Sequence, residues 1–487
     1  MLSKSRYMAG LQCPKRLWYE VNARELVPGF GPATLAVFEQ GHEVGRLAQR
    51  LYPGGVEIAR DQRAWKSLVA ATERVVRARK PVYEGAFTFD GGACRVDVLA
   101  PVEDGLWDLV EVKSTTQVKD EHVEDIAFQT WVLRGAGVPL RRSLLCHLDS
   151  GYVREGELEL ERLFALEDLT EEIEPVLARV PSQVRRLQET AAQPAHPPID
   201  IGPHCSAPYG CPLVSVCWSD VPDLSVHELV RGGKKAWDLW QDGVVDLLRI
   251  PANVELTPLQ AIQVAVARSG EPHVDPPALR GFLEDLEYPL HFLDFETYQL
   301  AIPPFDGTRP YQQIPFQFSL HVVEAAGAAA RELAFLAESG SDPRPGFATA
   351  LRDAIGPTGS IVVYNQSFEV ARIRELVRDV PGAARGFEAL VPRIVDLLEP
   401  FRKFHYLHPA QLGSASIKAV LPVLAGRGYE HLEIQEGDEA SREFLRSLDP
   451  TTTPEERERI RAALLAYCGR DTEGMVEIVR ALEALVA

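Results

Sequence analysis

Hydrophobic and polar positions change their spacing several times along the 487-residue chain. From residue 1 to about 60, apolar residues recur every three or four positions, which is typical of helices. From residue 82 to 118, short apolar runs separated by turn residues predict three strands, followed by a helix from about Glu121 to Gly135 and a further strand. Helical spacing returns from about residue 220 to 288.

The C-terminal part of the chain alternates short apolar runs with helical stretches. The runs at residues 290–296 (LHFLDFE) and 361–364 predict strands, and a helix follows the second run. Another helix is predicted to begin at Pro454, because Thr453 can cap it and Glu456 can complete a capping box. The alternation of strands and helices predicts an α/β protein.

Length, composition and charge limit the classes of protein. A chain this long exceeds one ordinary core, so we expect two or three domains. Its 46% hydrophobic and 25% charged residues are typical of soluble proteins. The sequence contains no apolar stretch that would span a bilayer, and its N-terminal residues are polar, which predicts a cytoplasmic protein without a membrane partner.

The net charge of −19 argues against a protein that coats nucleic acid through a general positive field. It is compatible with a metal-binding site, because clustered carboxylates that bind metals add negative charge. Local basic residues near the start of the chain, such as Lys4 and Lys15, could contact a substrate, although a solvated surface is the alternative.

Two carboxylates, Asp294 and Glu296, end the run at residues 290–296. Residues two apart on a strand face the same side, so both can bind one cation, although an ordinary charged strand end is the alternative. Tyr467 and Asp471 are four apart and share a helix face. With Glu369, these oxygen donors suit Mg²⁺ or Mn²⁺, which can stabilise the attacking and leaving oxygens of a phosphoryl displacement.

The segments LDFET, YNQSFE and YCGRDT, in this order, resemble the three motifs of the DEDD superfamily of 3′-5′ exonucleases, in its tyrosine subclass. The resemblance implies an RNase H-like fold in which Tyr467 orients the attacking water. The metal ligands that it implies are Asp294, Glu296, Glu369 and Asp471. The second motif of the family usually has Asp where this chain has Glu369, so Asp396 could assist, and Asn365 is a further candidate.

The strands of the first third place Glu111 and Lys113 on one face of a strand and Asp97 on the preceding strand. A carboxylate pair can bind a cation, and an adjacent ammonium can position water or stabilise charge on a phosphate. A hairpin with a surface Glu–Lys pair is the alternative.

The order of polar residues in this region resembles the RecB-like branch of the PD-(D/E)XK nuclease superfamily. That branch has a histidine on an early helix, an upstream acid, an aspartate, an E-x-K motif and a glutamine on the next helix. The residues that match these roles in order are His42, Glu84, Asp97, Glu111, Lys113 and Gln129. The resemblance implies metal ligation by His42, Asp97 and Glu111, and catalytic roles for Lys113 and Gln129. The alternative for His42 is a surface or packing role. Leu133 occupies the position where the family often has tyrosine.

Cysteines are unevenly distributed, and three of them lie close together at Cys205, Cys211 and Cys217. In a cytoplasmic chain this spacing indicates metal binding rather than disulfides. Together with the distant Cys13, the set resembles the iron-sulfur variant of RecB-like nucleases, in which four such cysteines bind a 4Fe-4S cluster. Four thiolates also suit a structural zinc, which is the alternative. Cys94, Cys146 and Cys468 are predicted to be buried apolar residues.

The combined pattern predicts three regions and resembles a family of bacterial and archaeal RecB-like fusion proteins. The regions are a restriction-endonuclease-like PD-(D/E)XK domain at residues 1–221, a helical connector at 222–287 and an RNase H-like exonuclease domain at 288–487. The resulting hypothesis is a metal-dependent nuclease that hydrolyses DNA or RNA, as single strands, at either or both sites. The alternative is a nucleic-acid-binding or scaffold protein with one or both sites degenerate. The sequence indicates no particular protein partner.

Overall fold

A computed structural model describes residues 1–59, 64–338 and 340–487, and it divides the chain into two compact units. The first unit comprises residues 1–220 and 300–312, and the second comprises residues 221–299 and 313–487. The predicted connector therefore lies within the second unit, and a short segment of the predicted exonuclease domain lies within the first. None of the described helices combines the length and apolarity that crossing a bilayer would require.

A mixed sheet packed against helices forms the first unit. Its strands are β1 (Leu2–Ser3), β2 (Val56–Glu57), β3 (Val82–Phe89), β4 (Gly92–Pro101), β5 (Trp107–Lys113), β6 (Leu140–Leu148) and β7 (Phe164–Asp168). Its helices are α1 (Lys4–Gln12), α2 (Pro14–Asn22), α3 (Pro32–Gln49), α4 (Trp65–Arg77), α5 (Asp120–Gly135), α6 (Leu160–Leu163), α7 (Glu174–Leu177), α8 (Val180–Ala191) and α9 (Val214–Cys217).

The strand order of this sheet is β2-β3-β4-β5-β6-β7, and β1 pairs with β4 beside this path. Strands β3, β4 and β5 are antiparallel neighbours, whereas β5 and β6 run parallel. A parallel pair needs a crossover connection, and α5 provides it. Almost every residue from 122 to 133 is buried, so α5 crosses the hydrophobic core. The strands and the helix predicted for residues 82–148 are confirmed.

The second unit also combines a mixed sheet with helices, which confirms the α/β prediction. Its strands are β8 (His273–Val274), β9 (Leu290–Tyr298), β10 (Ile314–Val323), β11 (Arg331–Leu336), β12 (Ile361–Val363), β13 (Ile394–Asp396) and β14 (Tyr406–Leu407). Its helices are α10 (Gly233–Gln241), α11 (Pro258–Ser269), α12 (Pro276–Glu284), α13 (Arg344–Ala354), α14 (Gln366–Asp379), α15 (Glu399–Arg402), α16 (Ile417–Ala425), α17 (Gly437–Leu448) and α18 (Pro454–Val486).

Strand β9 lies in the middle of the larger sheet, whose order is β11-β10-β9-β12-β13. It runs antiparallel to β10 and parallel to β12. Leu293 and Phe295 face a core that contains Phe318 and Phe347. Because side chains alternate along a strand, Asp294 and Glu296 face the other side, where α17 and α18 pack. The alternation thus separates the hydrophobic core from the polar residues of one strand.

Helix α18 begins where the sequence predicts. The Thr453 hydroxyl accepts a hydrogen bond from the backbone N–H of Glu456 at 3.2 Å, and Pro454 is the first helical residue. The predicted capping box is wrong in its second half, because the Glu456 carboxylate pairs with the guanidinium groups of Arg446 and Arg459 instead. Two guanidinium groups attract a carboxylate more strongly than one backbone amide does.

We expect Gly359→Ala to lower the free energy of unfolding of the second unit by about 3 kcal/mol. Gly359 has a φ of +83°, and a β-carbon there would lie 2.0 Å from the carbonyl oxygen of Pro289, just before β9. Chemical denaturation would measure the loss. Gly382→Ala is the matched control, because its β-carbon would meet no atom within 4 Å. Equal stability of both variants would contradict the prediction.

Candidate active sites

Polar side chains from β5 and α5 meet inside the first unit. The Lys113 ammonium lies 2.7 Å from both a Glu111 and an Asp125 carboxylate oxygen. The Gln129 amide donates to Glu111 at 2.7 Å and to Asp125 at 2.9 Å. The structure therefore brings together three predicted residues, Glu111, Lys113 and Gln129. Asp125 was not predicted, although its spacing of four from Gln129 places both on one helix face.

Lys4 is a second residue of this site that the sequence analysis did not assign to it. Its ammonium lies 2.6 Å from Glu111 Oε1 and 3.5 Å from Asp125 Oδ1. Strand β1 pairs with β4 at Leu2 and Ser3, which fixes the first residue of α1 over the sheet. Lys4 is thus part of a buried charge cluster and not of a solvated basic surface.

Asp97 approaches the same cluster from β4. Its carboxylate accepts a hydrogen bond from the backbone N–H of Val112 at 2.7 Å. Burial and the negative charge of Glu111 raise the pKa of Asp97 to about 7. Burial would also raise the pKa of Glu111, but the ammonium groups of Lys113 and Lys4 outweigh it and hold this pKa below its ordinary value. Near neutral pH, Glu111 is therefore ionised, while Asp97 is in equilibrium between its protonated and ionised forms.

His42 and Glu84 do not join this cluster. His42 is exposed on α3, a helix that packs on β5, and forms no hydrogen bond or ion pair within the described residues. Glu84 pairs with Arg95, with 3.1 Å between the carboxylate and the guanidinium. The metal role of His42 and the additional role of Glu84 thus stay predictions without a supporting contact.

Carboxylates and a thiol meet beside β9 in the second unit. Ligand atoms of Asp294, Glu296 and Cys468 all lie within 4.8 Å of one another. The Cys468 thiol is 3.6 Å from Asp294 Oδ2, close enough to donate a weak hydrogen bond. Cys468 is fully buried, as predicted, yet it faces the carboxylates and not only the core.

Helix α18 also brings Tyr467 and Asp471 to this site, as their spacing of four predicts. A β-carbon placed on Gly437 would lie 3.7 Å from Glu296 Oε2 and 3.9 Å from the Tyr467 hydroxyl, so both oxygens converge on this glycine. Asp471 accepts a hydrogen bond from the hydroxyl of Tyr429. Tyr429 was not predicted, because it comes from an irregular segment far from the motifs.

Lys418 is a cation that faces this group. Its ammonium lies 5.8 Å from the ring centres of both Tyr429 and Tyr467 and forms an ion pair with Glu436. It lowers the pKa values of Glu296 and Asp471, although other causes outweigh it. The sequence does not place this lysine beside Tyr467, because the two residues are distant in the chain.

Glu369 comes from the first turn of α14. It is 1% exposed, and its Oε2 atom has no hydrogen-bond partner among the described residues. Burial and the nearby charge of Asp294 raise its pKa well above the ordinary value. A buried oxygen without a partner beside another carboxylate is chemically suited to a cation.

Asn365 and Asp396 fix the backbone around Glu369. The Asp396 carboxylate accepts hydrogen bonds from the backbone N–H of Asn365 at 2.9 Å and of Leu398 at 3.0 Å. Asn365 precedes α14 with a φ of +88°, and its side chain accepts a hydrogen bond from Ser367. These contacts explain how α14 is oriented, while a metal role for either residue stays a prediction.

The carboxylates of the second site are buried close to one another, which disfavours their charged forms. Burial and mutual repulsion raise the pKa values of Asp294 and Glu296 well above their ordinary values, and burial raises that of Asp471 to about 6. Protonation or a bound cation can reduce the repulsion within such a group of carboxylates. Its oxygen donors suit a hard divalent cation.

The four predicted cluster cysteines line one pocket of the first unit. Cys13 lies between α1 and α2, and the other three come from residues 205–217, so the fold closes a large separation in sequence. The pocket contains about 330 Å³ without protein atoms, part of it open to solvent. All four cysteines are free thiols, and His204 lies beside them. The donor set therefore fits an iron-sulfur cluster or a zinc ion.

A family model described as a domain of unknown function (DUF2779) matches residues 291–416, which include Asp294, Glu296 and Glu369. No curated protein matches the chain. A solved structure titled "Crystal structure of SSO0001" is 14% identical, covering 45% of this chain and 87% of that chain, with a TM-score of 0.24. A TM-score this low establishes no shared fold.

We expect Asp294→Asn to raise the free energy of unfolding at pH 8 by about 1–3 kcal/mol in metal-free buffer. A buried acid with a raised pKa carries no penalty below its unfolded pKa, and the penalty grows as pH rises towards the folded pKa. The variant should therefore match wild type near pH 4 and exceed it at pH 8. Denaturation at both pH values, with chelator, would measure this.

Asp353→Asn is the control for this experiment, because Asp353 is an exposed residue of the same unit whose ion-pair partner within the described residues is Arg352. Its stability should match wild type at both pH values, since exposed ion pairs contribute little. A loss of stability in Asp294→Asn at pH 8 would contradict the electrostatic interpretation.

Proposed function

We propose that this protein is a metal-dependent nuclease that hydrolyses phosphodiester bonds of single-stranded DNA or RNA. The observation that carries the proposal is the convergence of Asp294, Glu296, Glu369, Asp471 and Tyr467 from β9, α14 and α18. These residues are the ones expected from the resemblance to DEDD exonucleases. Their raised pKa values and the unpartnered oxygen of Glu369 support a cation-binding role.

In the second unit, the carboxylates of Asp294, Glu296, Glu369 and Asp471 would hold Mg²⁺ or Mn²⁺. Such ions supply charge stabilisation for the attacking and leaving oxygens of phosphoryl transfer. The Tyr467 hydroxyl, converging with Glu296 near Gly437, would orient a water molecule while Glu296 accepts its proton. We infer an RNase H-like fold for this unit, with shortening of the substrate from its 3′ end.

The first unit would provide a second hydrolytic site of the RecB-like, restriction-endonuclease-like type. Asp97 and Glu111 would hold the cation, and Lys113 would stabilise negative charge that develops on the phosphate. Gln129 would position Glu111, since its amide donates to that carboxylate. These groups are ordered around one buried glutamate. This arrangement favours a catalytic role over the alternative of a surface Glu–Lys pair.

The four cysteines of the first unit would bind a 4Fe-4S cluster. Support comes from their common pocket, their free thiols and the distance in sequence that the pocket closes. A bound cluster would join the region around Cys13 to residues 205–217, and free thiols suit the reducing cytoplasm. A zinc ion is the alternative occupant, and metal analysis distinguishes the two.

We expect wild type, with Mg²⁺ or Mn²⁺, to degrade 5′-labelled single-stranded DNA or RNA into a ladder that shortens from the 3′ end. Asp294→Asn should lower the rate of this shortening by about 100-fold or more, because it weakens cation binding. Cutting that remains should depend on Lys113. Gel analysis of wild type, Asp294→Asn, Lys113→Met and the double variant would measure each contribution.

Controls for the nuclease experiment use exposed residues of the same types. Asp353→Asn and Lys403→Met remove charges from surface ion pairs and should leave both activities unchanged. Absence of cutting by wild type on every substrate, with intact metal content, would favour the nucleic-acid-binding or scaffold alternative. Shortening that persists in Asp294→Asn would contradict the proposed role of the second unit.

Protein purified without oxygen should be brown and contain about four iron atoms and four sulfides per chain. Cys13→Ser and Cys211→Ser should lose the visible absorbance, because each removes a thiolate from the pocket. Cys146→Ser is the control, since Cys146 is buried in the core away from the pocket. If the wild-type protein were colourless and contained one zinc per chain, the 4Fe-4S proposal would be wrong and the zinc alternative would be supported.

A further inference from the structure

Both oxygens of Glu111 are occupied by protein groups. The ammonium groups of Lys4 and Lys113 bind the same oxygen, Oε1, at 2.6 Å and 2.7 Å. The amide of Gln129 binds the other oxygen, Oε2, at 2.7 Å. Two ammonium groups already use the lone pairs of Oε1, so a divalent cation that binds Glu111 through this oxygen must displace one of them.

Lys4 is the group that can leave at the lower cost. Lys113 keeps a second contact with Asp125 at 2.7 Å, whereas Lys4 approaches that residue only to 3.5 Å. Lys4 also retains 22% side-chain exposure, so its ammonium can reach water when it leaves Glu111. Losing Lys113 would instead leave Asp125 without its strongest partner.

The charges in the cluster indicate how many cations it can hold. Three carboxylates, from Asp97, Glu111 and Asp125, face the ammonium groups of Lys4 and Lys113. One divalent cation in place of Lys4 keeps the site close to balance, whereas a second would leave excess positive charge in a buried site. Gln129 Oε1 is buried without a hydrogen-bond partner among the described residues, which points to a ligand beside the cluster.

We propose that Lys4 competes with a divalent cation for Glu111 and takes the place of a second metal ion. The first unit then binds a single cation, and Lys4 sets the metal concentration that this site requires. The inference rests on the proposed function of the first unit. It assigns Lys4 a positioning role, since Lys4 acts through Glu111.

The test is Mn²⁺ binding, measured from the loss of the free-ion paramagnetic resonance signal. The background is the full chain with Asp294→Asn and Glu296→Gln, which silences the second site. In this background, one Mn²⁺ should bind per chain through the first unit. Adding Lys4→Met should tighten this binding by about tenfold or more, because the competing charge is gone.

Arg6→Met is the matched control, since Arg6 lies on the same helix but contacts the backbone carbonyl of Glu20. It should leave Mn²⁺ affinity unchanged. Equal or weaker Mn²⁺ binding in Lys4→Met would overturn the inference and leave Lys4 a purely structural role. Binding of two Mn²⁺ ions before Lys4 is changed would overturn it as well.

Two further measurements distinguish failure of the Lys4 inference from failure of the proposed function of the first unit. Should Lys4→Met unfold more easily, its gain in melting temperature on adding Mn²⁺ must exceed that of the background, and an equal gain contradicts competition. Glu111→Gln in the same background should abolish Mn²⁺ binding. Undiminished binding in Glu111→Gln would locate the ion elsewhere and contradict the proposed function of the first unit itself.

Discussion

Repulsion between buried carboxylates is the constraint on which both sites depend. Each unit gathers acidic side chains around a central strand and excludes water from them, which disfavours their charged forms. In the first unit, the ammonium groups of Lys4 and Lys113 bind Glu111 directly and offset its negative charge. The second unit has Lys418 nearby, but that ammonium pairs with Glu436, and the pKa values of its acids stay raised.

This difference gives the two sites different states in the absence of metal. The first is a network of ion pairs and hydrogen bonds in which Glu111 stays ionised. In the second, Asp294, Glu296 and Glu369 all have raised pKa values, so these acids keep their protons to a higher pH than exposed carboxylic acids do. A cation would therefore replace an ammonium in one unit and protons in the other.

The sequence patterns predicted residues that are held by local geometry. Alternation on a strand placed Asp294 with Glu296, and helical spacing placed Tyr467 with Asp471. Which side chains share a face depends only on the backbone geometry of one element. Tertiary packing therefore does not change it. The same rule could have found Asp125, four residues before Gln129 on α5.

Residues that reach a site from distant segments escaped prediction. Lys4 lies 107 positions from Glu111, and the pairing of β1 with β4 helps to bring them together. Tyr429 reaches Asp471 from an irregular segment, and residues 300–312 change unit without any signal in their composition. The capping box failed for a related reason, since Arg446 and Arg459 compete for Glu456. Tertiary contacts decide each of these cases.

Helix α1 connects the charge cluster to the cysteine pocket. Lys4 is its first residue, and Cys13 follows its last, so a single rigid element spans roughly 14 Å between them. Gln12, in its last turn, donates to the backbone carbonyls of His204 and Tyr209. The same helix thus holds Lys4 beside Glu111 at one end and Cys13 beside residues 205–217 at the other.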